Sequence, residues 1–143
     1  TTQSAFVNFH RDEYRSLPDM ADRVFCTIVE CDWVYDTLSG LCFDSAWKVV
    51  KDEIIETFAG PPTTGVYSPS VQKTLYDTCK LSLSKIPQMS QMQIILPNVH
   101  AYEVDFKKFP ALQFDNTNEV FQPTDKPSGN IRATVKRRTK AKL

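Results

Sequence analysis

The sequence predicts an α+β domain: an antiparallel sheet with two helices on one face. Three observations point there. A run of β-branched and aromatic residues with period two lies at 24–35, two segments of helical period follow it back to back, and alternating strands return near the end of the chain. Helices grouped between strand pairs cover one face of a sheet, which is the α+β layer arrangement.

Taken in order, residues 1–9 are expected to end a truncated first strand. In 24–35 (VFCTIVECDWVY), Phe25, Thr27, Val29, Cys31 and Trp33 fall on one face, with Glu30 and Asp32 on the other, as in a half-buried strand. In FDSAWKVVKDEIIETFAG, the residues Phe43, Trp47, Val50, Ile54 and Phe58 recur at helical spacing. Asp44 or Ser45 is placed to cap this first helix, and Gly60-Pro61-Pro62 ends it. After the loop PPTTGVY, a second helix is expected with Ser68 as N-cap and Pro69 at its first position. Its apolar stripe is Val71, Leu75, Cys79 and Leu83, and Pro87 stops it.

Residues 92–106 (MQIILPNVHAYEVDF) read as extended chain interrupted at Pro97, and 107–127 as a long irregular connection. In GNIRATVKRR, the residues Ile131, Ala133 and Val135 alternate with Arg132, Thr134 and Lys136, a last strand. The domain is thus expected over 1–136, with a basic tail over 137–143. Open sheet edges need covering, and oligomerisation is one way to do so.

Composition narrows the function classes. The chain has 143 residues, one domain's worth of core, with 41% hydrophobic and 24% charged residues, the balance of a globular protein. Its 17 Lys and Arg match 17 Asp and Glu, which argues against the basic excess of a nucleic-acid-binding domain. No apolar run approaches the roughly 20 residues that span a bilayer, so no membrane segment is expected. The chain opens on Thr1 inside a polar segment, without a signal peptide, and a cleaved or partial chain is expected. Cys26, Cys31, Cys42 and Cys79 form no C-x-x-C pair, and the histidines His10 and His100 stand far apart, so no zinc pattern is present. Reduced, partly buried thiols in a reducing compartment are the simpler reading.

The strings TTQSAF, SPSVQKTLYD, LPNVH and PTDKPSGNIRATVKR, in this order and spacing, resemble the urate oxidase (uricase) family. The resemblance covers essentially the whole chain and corresponds to the C-terminal half of a full-length member. It implies the tunnelling fold, built from β-β-α-α-β-β units that associate into barrels. It also implies oxidation of urate by O2 and water to 5-hydroxyisourate and hydrogen peroxide, without a metal or organic cofactor.

Site residues follow position by position. Arg23 matches the arginine that clamps urate, and a guanidinium offers an anion a rigid, permanently charged fork of donors. Its bland alternative is an ion pair with Asp19 or Asp22. Gln72 matches the glutamine that pairs with the purine edge, with the backbone at Val71 beside it. An amide carries both donor and acceptor, and a helix start favours an anion. Without the family, an exposed helix residue is the alternative. Phe6 matches the aromatic that stacks on the substrate ring, and Leu17 and Ile131 match apolar wall positions; core packing is the alternative for all three. Asn98 matches the asparagine that holds dioxygen or water above the ring, and His100 the histidine of a proton relay, where a structural hydrogen bonder is the alternative. His10 has no motif around it and is read as structural. Where many relatives carry an aromatic after the histidine matching His100, this chain has Ala101 and then Tyr102.

The relay's lysine and threonine belong to the N-terminal unit of the family. The chain is therefore expected to be inactive alone, and to need the N-terminal half and neighbouring subunits of a homotetramer. Ala141-Lys142-Leu143 resembles the S-K-L peroxisomal address, which implies an import receptor and a peroxisomal location. Two alternatives stay open: a non-catalytic assembly or pseudoenzyme fragment, and another purine or pterin enzyme of the same fold. The latter usually bind substrate through a helix carboxylate, where this chain has Gln72.

Overall fold

The computed structural model describes residues 3–16, 18–112, 115–117 and 119–138. Its elements run β1 (Gln3–Ser4), β2 (Cys26–Thr27), β3 (Glu30–Tyr35), α1 (Phe43–Ala59), β4 (Tyr67–Ser68), α2 (Val71–Lys85), β5 (Met89–Val99), β6 (Ala101–Glu103), a 3-10 turn (Phe106–Lys108), β7 (Phe121–Pro123) and β8 (Asn130–Lys136). The expected α+β architecture is present: an open antiparallel sheet backed by two helices.

The central strand is β5. It pairs antiparallel with β8 along one edge and with β2 and β3 along the other. Its alternate residues Met92, Ile94 and Leu96 are buried, as is Met89 at its start, and they meet Leu75, Cys79 and Leu83 of α2 in one core. The opposite face sets Gln91, Gln93, Asp32, Arg132 and Thr134 beside Ile95 and Val34. There Gln93 Oε1 accepts hydrogen bonds from Arg132 and Thr134.

The early strand is shorter than its alternation suggests. It divides into β2 and β3, which keep one register on β5: Thr27 faces Asn98 and Glu30 faces Ile95. By that register the two residues between them lie opposite Leu96 and Pro97. Proline has no N–H to give a ladder, so pairing lapses at this point. Thr27 Oγ1 donates to the Pro97 carbonyl at 2.7 Å instead. The expectation that Pro97 interrupts the later strand is corrected accordingly. Strand β5 runs through Pro97 to Val99, held on its other edge by β8, and the break falls in the neighbouring strand.

Helix α1 ends at Gly60 as expected, with a positive φ that glycine adopts without strain. Its start is corrected. Cys42 is the N-cap, and neither Asp44 nor Ser45 caps it; no side chain does. The buried line is Ala46, Val50 and Glu53, while Phe43 and Trp47 are exposed. Those two rings lie on the flank, where Phe43 meets Tyr35 edge-on and Lys51 lies over Trp47. Phe58, from the same predicted stripe, does pack inward, with its ring 5.6 Å from that of Phe25.

Helix α2 begins later than expected. Ser70 is its N-cap and accepts the Lys73 N–H, while Ser68 and Pro69 precede it. The cause is a second use of the segment: Ser68 belongs to β4, which pairs parallel with β1. Its hydroxyl shares a 2.6 Å hydrogen bond with Thr74 Oγ1 and donates to the Ser70 carbonyl. The stripe Val71, Leu75, Cys79 and Leu83 is buried as read. Lys85 and the buried Glu53 form an ion pair that ties α2 to α1.

The stretch expected as irregular holds β7, which pairs antiparallel with β6. Arg137, expected at the start of a tail, is a bound side chain. Its guanidinium donates to the carbonyls of Met89, Ile86 and Leu83, where α2 turns into β5. The Ala141-Lys142-Leu143 tripeptide lies outside the described residues.

Candidate active site

A cavity of about 680 Å³ opens where the end of β5, the start of α2 and the start of β8 come together. Phe6, Arg23, Val71, Gln72, Asn98, His100 and Ile131 all line it. The fold therefore gathers into one space every described residue that the motifs single out. Leu17 lies outside the described residues; its neighbour Pro18 lines the cavity.

Each is held by backbone bonds. Phe6 and Met20 exchange N–H to carbonyl bonds of 2.8 and 3.0 Å. The Arg23 N–H donates to the Ser4 carbonyl at 3.0 Å, so the guanidinium hangs from the same seam. Ala5 and Val7 donate to the carbonyls of Ser68 and Pro69, which lays the Phe6 segment alongside the start of α2. Val71 and Gln72 are the first two residues of that helix, where backbone N–H groups have no acceptor within the helix and the dipole is positive. The Asn98 N–H donates to the Gly129 carbonyl at 2.8 Å. The His100 carbonyl accepts the Thr124 N–H, and its ring stacks on Tyr102 with centroids 6.3 Å apart.

Arg23 dominates the electrostatics. The alternative of an ion pair with Asp19 or Asp22 does not hold: Asp19 is taken by Arg11 and Arg15. Among the described residues no carboxylate pairs with Arg23. Its guanidinium instead lies over the rings of Phe6 and Phe25, and its Nε is buried without a hydrogen-bond partner. Burial pulls its pKa down, although a guanidinium stays charged at any ordinary pH. A half-buried cation without a counter-ion is costly, and an anion in the cavity relieves it. Asp22 and Glu103 also line the cavity, both exposed, where water screens their charge.

Sequence reasoning missed further wall residues. Met20, Phe121, Gly129 and Asn130 line the cavity too, as does Tyr102, which departs from the family pattern. Gly129 and Asn130 lie inside a recognised string, which was their only signal. Phe121 falls in the stretch read as irregular. Among the described residues no group of three or more His, Cys, Asp or Glu is placed to hold a metal ion.

The fold and the cavity define a two-layer α+β binding domain whose pocket combines apolar walls, one uncompensated guanidinium and amide groups, a set suited to a small, flat anion. The uricase family model matches residues 1–132. The chain belongs to the uricase family. It is 48% identical over 143 residues to the uricase of Danio rerio, all of this chain and 47% of that protein. Against the uricase of Oryctolagus cuniculus the identity is 45%, again over all of the chain and 47% of the relative. The crystal structure of uricase from Arthrobacter globiformis superposes with a TM-score of 0.82 at 32% identity, covering 98% of this chain and 46% of that one. A uricase from Bacillus fastidious shares the fold at a TM-score of 0.67 and 19% identity, covering 93% and 40%. The chain thus spans about half the length of the curated relatives it matches.

Proposed function

We propose that this chain supplies the C-terminal half of a urate oxidase pocket. The observation that carries this reading is Arg23, a cation with a buried, unpartnered Nε at the wall of a cavity that also holds Gln72, Asn98 and His100. Urate is a flat anion with alternating carbonyls and N–H groups along its edge. Arg23 and the Gln72 amide pair with that edge, and the backbone N–H groups at the start of α2 add positive potential. Phe6, at the cavity wall, stacks on the ring.

In the proposed reaction urate, O2 and water give 5-hydroxyisourate and hydrogen peroxide. Urate loses two electrons and O2 gains them, while water supplies the new hydroxyl. Asn98 holds first dioxygen and then the attacking water, and His100 moves protons within a relay. The relay's lysine and threonine come from the N-terminal unit, so the chain works only with that half, in a homotetramer. Release of peroxide and the C-terminal Ala141-Lys142-Leu143 together support peroxisomal import through its receptor.

The test follows the ultraviolet loss of urate with this chain alone and after adding an N-terminal unit. Turnover is expected only in the mixture. Turnover by the chain alone refutes the division of labour, and none in the mixture favours a non-catalytic assembly role.

A further inference from the structure

The cavity contains a glycine whose backbone gives no reason for it. Gly129 is not among the residues with positive φ, so its conformation is open to any L-residue. Space explains it instead. A Cβ at position 129 would lie 3.2 Å from Asn98 Nδ2, closer than side chains ordinarily approach, and 3.7 Å from Ile131 Cδ1, an ordinary contact. The crowding falls on the Asn98 amide alone. Either way round that the amide is turned, the same space is needed.

Backbone geometry fixes the pair. The Asn98 N–H donates to the Gly129 carbonyl at 2.8 Å, one step beyond the last rung of the β5–β8 ladder, where Pro97 faces Asn130. The Asn98 main chain therefore cannot back away from residue 129 without losing a hydrogen bond, and any Cβ there must be absorbed by turning the side-chain amide.

We propose that Gly129 is a positioning residue for the Asn98 amide: the missing side chain at 129 lets Asn98 present its amide to the cavity. This rests on the proposed role of Asn98 toward dioxygen and water. Reacting groups tolerate little displacement, so a shift of a few tenths of an ångström acts on turnover before it acts on substrate affinity, which Arg23 and Gln72 govern.

Two measurements test this. In the 1H–15N spectrum of the chain, the Asn98 side-chain amide pair is identified by its loss in Asn98→Ala. Gly129→Ala is expected to move that pair while the amides of α1 stay in place; an unmoved pair overturns the proposal. In the mixture with an N-terminal unit, Gly129→Ala is expected to lower kcat about tenfold with KM for urate held within about twofold. In an Asn98→Ala background the same change is expected to cost nothing further. Equal costs in both backgrounds mark a general effect on the sheet and overturn the proposal. A wild-type mixture that never consumes urate refutes the proposed activity, and the amide signal then decides the placement alone.

Discussion

The guanidinium carbon of Arg23 lies 5.5 Å from the centroid of the Phe6 ring, and the two residues hang from adjoining hydrogen bonds of one seam. The charge and the aromatic plane are thus placed together by the backbone. Arg23→Ala is expected to weaken urate binding in the complemented enzyme by roughly 10- to 100-fold, the scale of about 1.5–3 kcal/mol for a hydrogen bond to a charged group. Arg23→Lys restores only part, because an ammonium keeps the charge and lacks the planar fork. Titration with urate checks both, and unchanged affinity in Arg23→Ala sinks the pocket assignment.

The thiols divide into two classes. Cys26 and Cys42 are exposed, and a hydrogen bond from the Ser45 hydroxyl draws the Cys42 pKa down. Burial pushes Cys31 up to about 12 and Cys79 up to about 11. A thiol reagent at pH 8 is expected to modify the exposed Cys26 and Cys42 quickly, and the other pair only on unfolding. The sign of the pH dependence follows. Above their ordinary value of 9.0 the unfolded chain loses these two protons while the folded chain keeps them. Stability is therefore expected to fall from about pH 9 toward pH 11–12, with no contribution from this pair below that window. Urea midpoints across that range check it, and replacing Cys31 and Cys79 by alanine should flatten the slope.

Arg137 closes the corner between α2 and β5 by donating to three main-chain carbonyls. Arg137→Ala is expected to destabilise the fold by about 1–3 kcal/mol, since acceptors at that corner lose their donor. Thermal unfolding of the two proteins decides it. A melting temperature equal to wild type would show that water replaces the side chain at no cost.

Much of the fold was legible because it rests on local patterning. The stripe of α2 and the alternation of β8 lie where period and turn chemistry place them, since each buries one face against one neighbour. The misreadings share a cause: partners distant in sequence. Ser68 looks like an N-cap until β1 claims its backbone, and Pro97 looks like a break until β8 holds it from the far side. Phe43 and Trp47 fit a helical stripe, yet the face that packs is the one carrying Ala46, Val50 and Glu53.

Local patterning alone fixes the α+β class, the core-facing sides of α2, β5 and β8, and through its motifs the family and the residues at which to look for a site. Whether Phe6, Arg23, Gln72, Asn98 and His100 share one space was decided only by the tertiary structure. So was the freedom of Arg23, because Asp19 turns to Arg11 and Arg15 instead. So was the use of Gly129, which lies 31 positions along from Asn98 and meets it only across a strand pair. The physical reason is common to all three. Periodicity reports which face of an element is apolar, whereas a cavity is made of what distant elements leave unfilled where their ends converge.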